Sequence, residues 1–143
     1  MKKGGVINQT LSCELAGLGH GDSFLICDAG FPIPREVTRV DLALAFNIPS
    51  LKQCLEAVLS EIVVQKVTIA SEMGTYNQGG KDYLKGLFKN QEFVCVPQEE
   101  LVKLAKNVKF IVRTGELAPY SNVILEAASG VEKYKKDFVI DID

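Results

Sequence analysis

The chain has 143 residues, the length of one domain and enough to bury a core without disulfide bonds. Hydrophobic residues make up 47% and charged residues 24%, which excludes a disordered, collagen-like or coiled-coil protein. The net charge of −2 offers no basic field for a phosphate backbone, so nucleic acid is not expected as a partner. The apolar runs are far shorter than the ~20 residues of a membrane helix, and no signal-peptide core follows the first residues. We therefore expect a cytoplasmic protein with no membrane contact.

Helices and strands are predicted to alternate along the chain. The first helix is capped by Asn8, carries apolar residues at helical spacing as far as Leu18, and ends at Gly19. The strands are predicted over residues 23–27, 66–70, 92–96, 108–112 and 122–127, with an extended segment near 39–44. The later helices are predicted to open on the capping-box pattern of Ser50 and Gln53, and to span residues 81–89 and 98–106.

This alternation indicates a single α/β domain over residues 1–143, with a central, mostly parallel sheet flanked by helices. Residues 130–143 are interpreted as a variable C-terminal tail, which forms an edge strand, covers a neighbour or frays. Ligands of such sheets bind beyond the carboxyl ends of the strands. Residues 28–35, the neighbourhood of Glu72 and residues 113–122 fit that position.

The four cysteines and the one histidine lack the spacing of a zinc or redox site. Three of the four cysteines lie in apolar stretches, where a thiol packs as a small hydrophobe. We therefore expect neither a metal nor an organic cofactor.

His20 is the candidate for proton transfer. It lies in a turn between Gly19 and Gly21, where the imidazole is approachable, and its unperturbed pKa of about 6.5 suits acid–base chemistry near neutral pH. Asp22, in the same turn, and Asp28, across the short strand, are close enough in sequence to orient it. The alternative is an exposed turn histidine without a role.

A second group of candidates suits a neutral, polyhydroxylated ligand. Asp28 opens a loop stiffened by prolines and can accept hydrogen bonds from ligand hydroxyls, although it can also simply cap a turn. Tyr120 and Asn122 are spaced to project to one side at the start of a strand, with Ser121 between them. A polar surface loop explains the second segment about as well.

Four blocks of sequence, at residues 1–8, 18–34, 39–44 and 113–125, resemble the sugar-mutarotase family of D-ribose pyranases and fucose mutarotases. The resemblance implies a ribose pyranase-like fold and an isomerase that interconverts the pyranose, furanose and anomeric forms of a free sugar. It implies that His20 is the proton donor. It implies that the sugar contacts Asp28, Tyr120, Ser121 and Asn122.

The same resemblance implies a monosaccharide, D-ribose above all, as substrate, and pentameric rings or decamers with the site at subunit contacts. One departure concerns Gln98, which aligns with a histidine of the ribose branch. Glutamine can bind a hydroxyl but cannot transfer a proton at neutral pH, so a mechanism that needs two histidines is excluded. Two alternatives remain: a mutarotase for fucose or another monosaccharide, and a non-catalytic sugar-binding protein.

Overall fold

A six-stranded mixed sheet forms the centre of the computed structural model, which describes residues 1–142. The strands are β1 (Ser23–Cys27), β2 (Thr38–Asp41), β3 (Val64–Ala70), β4 (Glu92–Val96), β5 (Phe110–Arg113) and β6 (Val123–Ala127). They lie in the order β2-β5-β1-β6-β3-β4. β6 is antiparallel to both of its neighbours, and the other pairings are parallel. The predicted α/β fold with a mostly parallel sheet is confirmed, with β6 as the reversed strand.

The helices flank this sheet and connect its strands. They are α1 (Gln9–Ala16), α2 (Leu51–Leu59), α3 (Met73–Tyr76), α4 (Gln78–Leu87), α5 (Gln98–Leu104), which continues as a 3₁₀ turn (Ala105–Asn107), and α6 (Val131–Tyr134). The capping box predicted at Ser50 is present, because its side chain and that of Gln53 bond each other's backbone N–H groups. The predicted end of α1 at Gly19 was wrong. The helix ends at Ala16, because the Gly19 N–H is bound in the next turn by the Asp22 carboxylate.

Two apolar layers cover the two faces of the sheet. Alternation along β1 sends Phe24 and Ile26 into the larger layer and Leu25 and Cys27 into the smaller one, so the strand is buried after its first residue. The expectation that cysteines pack as core residues holds for two of the four, Cys27 and Cys54. Cys95 is exposed because it lies on the edge strand β4.

The centre of the larger layer should be the most sensitive part of the fold. The rings of Phe24 and Phe110 stack with centroids 5.1 Å apart, and both side chains are fully buried. Phe110→Ala removes this contact and leaves a cavity, so we expect the free energy of unfolding to fall by about 3–5 kcal/mol in urea titrations. Phe138→Ala, at an exposed phenylalanine, is the matched control. Equal losses in the two variants would contradict this description of the core.

Within residues 1–142, the segment after β6 does not form the edge strand that was one of the three forms considered for it, and covering a neighbour or fraying stays a prediction. Residues 131–134 form the short helix α6, and residues 135–142 join no strand of the sheet. Within residues 1–142, no helix is both long and apolar enough to cross a bilayer.

The direction of the strands determines where polar loops meet. β1 and β5 are paired from Leu25 and Ile111 to Cys27 and Arg113, and β6 starts beside the carboxyl end of β1. The segments that follow β1, β3, β4 and β5 and the segment that precedes β6 therefore lie along one edge of the sheet, which we call the carboxyl edge.

Candidate functional site

Asp28 and Asn122 form the centre of the carboxyl edge. The Asn122 side-chain Oδ1 accepts a hydrogen bond from the Asp28 backbone N–H at 3.0 Å, and its Nδ2 donates to Asp28 Oδ2 at 3.1 Å. Asn122 is 2% exposed, so burial locks its amide in this orientation. The other carboxylate oxygen, Oδ1, accepts from the Gly30 N–H at 3.1 Å. The two residues are 94 positions apart in sequence and flank the adjoining ends of the neighbouring strands β1 and β6, which is why the sequence pattern could not pair them.

Burial raises the pKa of the Asp28 carboxyl above its ordinary value. The N–H groups of Gly30 and Phe31 and the amide of Asn122 act in the opposite direction, and the carboxylate of Glu116 adds to the rise. The site therefore holds a carboxylate that is partly desolvated but oriented by fixed donors. Such a group gains when a ligand hydroxyl donates to it.

This raised pKa predicts a pH dependence of stability. The folded state binds the Asp28 proton more tightly than the unfolded state, so the free energy of unfolding falls as the pH rises from about 4 through the folded pKa. Asp28→Asn removes the titration. We therefore expect the wild type to lose stability relative to this variant as the pH rises from about 4 in urea titrations. A difference between the two proteins that is constant with pH would contradict the raised pKa.

The segment before β6, residues 119–121, is held in place by the residue that caps α4. The Asn77 side chain caps α4 through Gly80 N–H, and its Nδ2 donates to the Pro119 carbonyl at 3.1 Å and to Ser121 Oγ at 3.0 Å. Ser121 is 2% exposed and thus faces this amide rather than solvent. The structure gives Ser121 a contact that positions the loop, alongside its predicted role in sugar binding.

Tyr120 adopts the left-handed backbone conformation, with φ 56°, which is strained for a bulky side chain. Its ring packs against both apolar layers and lies 5.5 Å from the ring of Tyr76, centroid to centroid. Tyr76 as a residue is 64% exposed. The strained turn thus places an aromatic platform beside Asn122, the arrangement typical of a site that stacks on the apolar face of a ligand.

Gln98 lies at the far end of the same edge. Its backbone N–H donates to both carboxylate oxygens of Glu72, at 3.1 and 2.9 Å, so the segment after β3 fixes the start of α5. The Gln98 Oε1 is buried, and within residues 1–142 it has no hydrogen-bond partner. Three strand spacings separate it from Asp28, about 14 Å at the usual interstrand distance.

On the side of Asp28 away from Gln98, the loop is fixed by residues at the ends of β2 and β5. Arg113 Nε donates to the Ala29 carbonyl at 3.1 Å, and its Nη1 contacts the Asp41 carboxylate at 3.2 Å. Thr114 is fully buried and donates through Oγ1 to the Cys27 carbonyl at 2.8 Å. These bonds fix the chain on both sides of Asp28.

His20 lies at the other edge of the sheet. It precedes β1, whereas Asp28 follows it, and five strand residues at about 3.3 Å each put roughly 16 Å between the two positions. His20 is exposed, and its Nδ1 accepts a hydrogen bond from the Ser129 N–H at 3.2 Å. In the neutral imidazole the proton is therefore on Nε2, which points away from this contact.

The expectation that Asp22 and Asp28 orient the imidazole directly was wrong for this single chain. Asp28 is separated from His20 by the length of β1. Asp22 Oδ2 accepts from the Gly19 N–H at 2.8 Å and faces the Lys109 ammonium at 3.7 Å. Asp22 therefore supports His20 through the shape of the turn, in which Gly21 takes φ 83° and its N–H bonds the Ala127 carbonyl.

The structure thus brings together Asp28, Tyr120, Ser121 and Asn122, places Gln98 farther along the same edge, and leaves His20 and Asp22 at the opposite edge. Asn77 is a positioning residue that sequence reasoning missed. Its position before Gln78 and two glycines is the pattern of a helix cap, but nothing in the sequence links it to Ser121. Within residues 1–142, no three His, Cys, Asp or Glu side chains are grouped to hold a metal ion.

The whole chain can be compared with known proteins once this geometry is described. The sequence profile of the RbsD / FucU transport protein family matches residues 1–131. The chain belongs to this family. It is 43% identical over 135 residues to D-ribose pyranase 2 of Rubrobacter xylanophilus. This alignment covers 94% of this chain and 88% of that relative.

Solved structures of RbsD/FucU proteins agree with this membership. The structure of Bacillus subtilis RbsD complexed with D-ribose superimposes with a TM-score of 0.87 at 40% identity, over 90% of this chain and 98% of that one. The fucose mutarotase of Streptococcus pneumoniae, solved with L-fucose, superimposes with a TM-score of 0.63 at 22% identity, over 85% of this chain and 93% of that one. The second likeness concerns the fold alone.

Proposed function

We propose that this protein is a D-ribose pyranase, an isomerase that interconverts the pyranose and furanose forms of free D-ribose, and their anomers, by acid–base opening of the ring. The observation that carries the proposal is the part-buried, hydrogen-bonded Asp28–Asn122 pair beside Tyr120, in a chain 43% identical to a D-ribose pyranase over nearly its whole length. The pair presents oriented acceptors to ligand hydroxyls, and the tyrosine presents a face to the sugar ring.

The reaction requires two proton transfers at positioned groups. Opening the hemiacetal removes a proton from the anomeric hydroxyl and delivers one to the ring oxygen; closing through a different hydroxyl changes the ring size. General acid–base assistance supplies about 10²–10⁴-fold. That suffices for a reaction that already proceeds in water. In our proposal Asp28, Ser121 and Asn122 hold the sugar, Tyr120 stacks on it, and the proton comes from His20 Nε2.

His20 and Asp28 lie at opposite edges of one sheet, so a site that uses both needs two chains. We propose that His20 of one subunit completes the carboxyl edge of a neighbouring subunit. The Ser129 N–H supports this role, since it occupies Nδ1 and leaves the Nε2 proton facing outward. In this proposal His20 is exposed in a single chain because the neighbouring subunit that it would contact is not there, and its exposure does not argue against a function.

The carboxyl edge carries the surface that such an assembly would bury. Leu44, Phe46 and Ile48, in the loop after β2, and Leu117, after β5, are all largely exposed in the single chain. Side chains of this size grouped around a polar site mark a protein interface. We propose that they pack in the closed homo-oligomer, a pentameric ring or a decamer, that the sequence resemblance implies.

Gln98 is assigned to sugar binding and not to proton transfer. A buried acceptor without a partner costs about 1–3 kcal/mol, and a sugar hydroxyl is a donor that satisfies it once the side chain turns towards the site. The amide cannot take or give a proton at neutral pH. His20 therefore remains the acid in this proposal.

The cytoplasm is the proposed location. The cysteines of this chain are free thiols, and unpaired thiols suit a reducing compartment.

The function is tested by NMR exchange between the ring forms of D-ribose, followed at equal protein concentration beside the same measurement with L-fucose. We expect faster exchange between the pyranose and furanose signals of ribose than in buffer, and a smaller effect on fucose. Acceleration of fucose alone would replace the ribose assignment by a fucose mutarotase. Sugar binding without acceleration of any monosaccharide would make this a binding protein.

A further inference from the structure

Glu116 joins the loop that carries Asp28 (residues 28–35) to the helix α2. The Glu116 carbonyl accepts a hydrogen bond from the Ala29 N–H at 2.9 Å. The Glu116 carboxylate bonds the helix, because its Oε2 accepts from the Leu51 N–H at 3.2 Å. Leu51 is the first residue of α2, so Glu116 connects the neighbour of Asp28 to the start of a helix.

The start of α2 is a fixed point that suits a carboxylate. The first N–H groups of a helix lack partners within the helix, and the helix dipole gives them partial positive charge. The Ser50 side chain accepts from the Gln53 N–H at 3.2 Å, and Glu116 accepts from Leu51. Leu51 and Leu55 are buried in the larger apolar layer, so the core holds this end of the helix in place.

The same carboxylate holds the segment that leads to Tyr120. Its Oε1 accepts from the Leu117 N–H and the Ala118 N–H, both at 3.0 Å. The Glu116 N–H donates to Oγ1 of the buried Thr114 at 3.1 Å, which fixes the start of the segment. The Glu116 carboxylate thus accepts hydrogen bonds from three backbone N–H groups, one from α2 and two from residues that precede Tyr120.

We propose that Glu116 is a positioning residue for sugar binding, which holds the Asp28 loop and residues 117–121 in one fixed arrangement by anchoring both on α2. The inference rests on the proposed function, in which Asp28 and Tyr120 meet the same sugar. Glu116 acts through its hydrogen bonds to the backbone, and no contact with the sugar is assigned to it.

The charge of Glu116 also acts on Asp28. Burial is the largest cause of the raised Asp28 pKa, and the Glu116 carboxylate adds to the rise. Arg113 and Asp41, at the ends of β5 and β2, pair with each other at 3.2 Å, and burial raises the pKa of the Cys27 thiol. Further titratable groups on the elements around Asp28 are Arg35, Arg39 and Tyr120. The Asp28 pKa therefore reports on Glu116 in a way that a loss of stability does not.

Glu116→Gln tests the proposal, beside Glu132→Gln, the same change at an exposed glutamate of α6. Glutamine keeps the size of the side chain, but it has no charge and its Nε2 cannot accept a hydrogen bond. A carbon NMR titration of the side-chain carboxyl groups, assigned with Asp28→Asn, gives the Asp28 pKa without any ligand. We expect this pKa to fall in Glu116→Gln, because a like charge is removed, and to stay at its wild-type value in Glu132→Gln.

Ribose is the second probe, at pH 7. We expect calorimetry to show an affinity for ribose that is about two- to tenfold lower in Glu116→Gln, the equivalent of one lost hydrogen bond. Ring exchange at saturating ribose should stay within about twofold of the wild-type rate, because Glu116 positions the sugar-binding residues and transfers no proton.

A second variant separates position from charge. Glu116→Asp keeps the charge, but its side chain is shorter by one methylene group and cannot bond both α2 and residues 117–118. We expect it to bind ribose as weakly as Glu116→Gln does, with a higher Asp28 pKa than in Glu116→Gln. Wild-type affinity in Glu116→Asp would show that the anchor on α2 does not position the site.

The other outcomes are equally distinct. A wild-type Asp28 pKa in Glu116→Gln would overturn the proposal, and so would equal affinities for ribose in Glu116→Gln and Glu132→Gln. The proposed function fails separately: a wild-type protein that binds ribose without accelerating ring exchange would contradict the isomerase and leave Glu116 as a positioning residue for binding. A wild-type protein that binds no ribose would contradict both.

Discussion

Replacing His20 with alanine should slow the exchange of ribose ring forms by about 10²–10⁴-fold, to near the rate in buffer, while ribose binding persists. The factor is the usual contribution of one positioned acid or base. Binding persists because Asp28, Tyr120 and Asn122 belong to the opposite edge of the sheet. Exchange is measured by NMR at saturating ribose, and binding by calorimetry.

A second substitution separates proton transfer from hydrogen bonding at His20. Glutamine can donate a hydrogen bond as imidazole does but cannot titrate near neutral pH. We expect His20→Gln to be as slow as His20→Ala. Since His20 is exposed and bound by one backbone N–H, neither variant should lower the free energy of unfolding by more than about 0.5 kcal/mol. Exchange within twofold of the wild-type rate in His20→Ala would show that His20 is not the acid.

Replacing Asn122 with alanine should have the largest effect on sugar binding. The substitution leaves the part-buried Asp28 N–H and one carboxylate oxygen without their partner, at up to about 1–3 kcal/mol for each group. We expect the affinity for ribose to fall by at least about tenfold, since 1.4 kcal/mol is a factor of ten. Calorimetry gives the affinity, and urea titration gives the accompanying loss of stability.

Asn122→Asp is the sharper variant of the same test. It keeps the shape of the side chain but places a second carboxylate against Asp28, and like charges in contact oppose ionisation of both. We expect weaker ribose binding than in Asn122→Ala at pH 7 and partial recovery at pH 5. Asn90→Ala, at an exposed asparagine, is the control. If all three variants bound ribose as the wild type does, the Asp28–Asn122 pair would not be the sugar site.

The elements of the sheet were predictable because their signals are local. The apolar run at residues 23–27 and the run at 92–96 coincide with β1 and β4, and Ser50 caps α2 as its pattern predicts. The end of α1 was not predictable from a local signal, because the Asp22 carboxylate in the following turn binds the Gly19 N–H and ends the helix. The short helices α3 and α6 span four residues each, too few for a helical period to be visible.

The candidate site likewise combines residues that local signals predict with contacts that depend on the tertiary structure. The sequence predicts Asp28 and residues 120–122 as polar residues at strand ends, but their bonds join positions 94 residues apart and follow from the placement of β6 beside β1. The separation of His20 from Asp28 also follows from the sheet. The two residues are close in sequence, but β1 runs between them and places them at opposite edges of the sheet. Asn77 shows the reverse case, a local cap that tertiary structure also places against Ser121.

The shared site is tested most directly by mixing two inactive variants. His20→Ala and Asp28→Ala chains are each dissociated, combined in equal amounts and reassembled, with each variant alone taken through the same steps. In a two-chain site, random assembly places an intact His20 against an intact Asp28 at about a quarter of the contacts. We therefore expect ribose exchange at about a quarter of the wild-type rate in the mixture and near the buffer rate in either variant alone. A mixture no faster than its two components would contradict a site that His20 of one subunit completes on another.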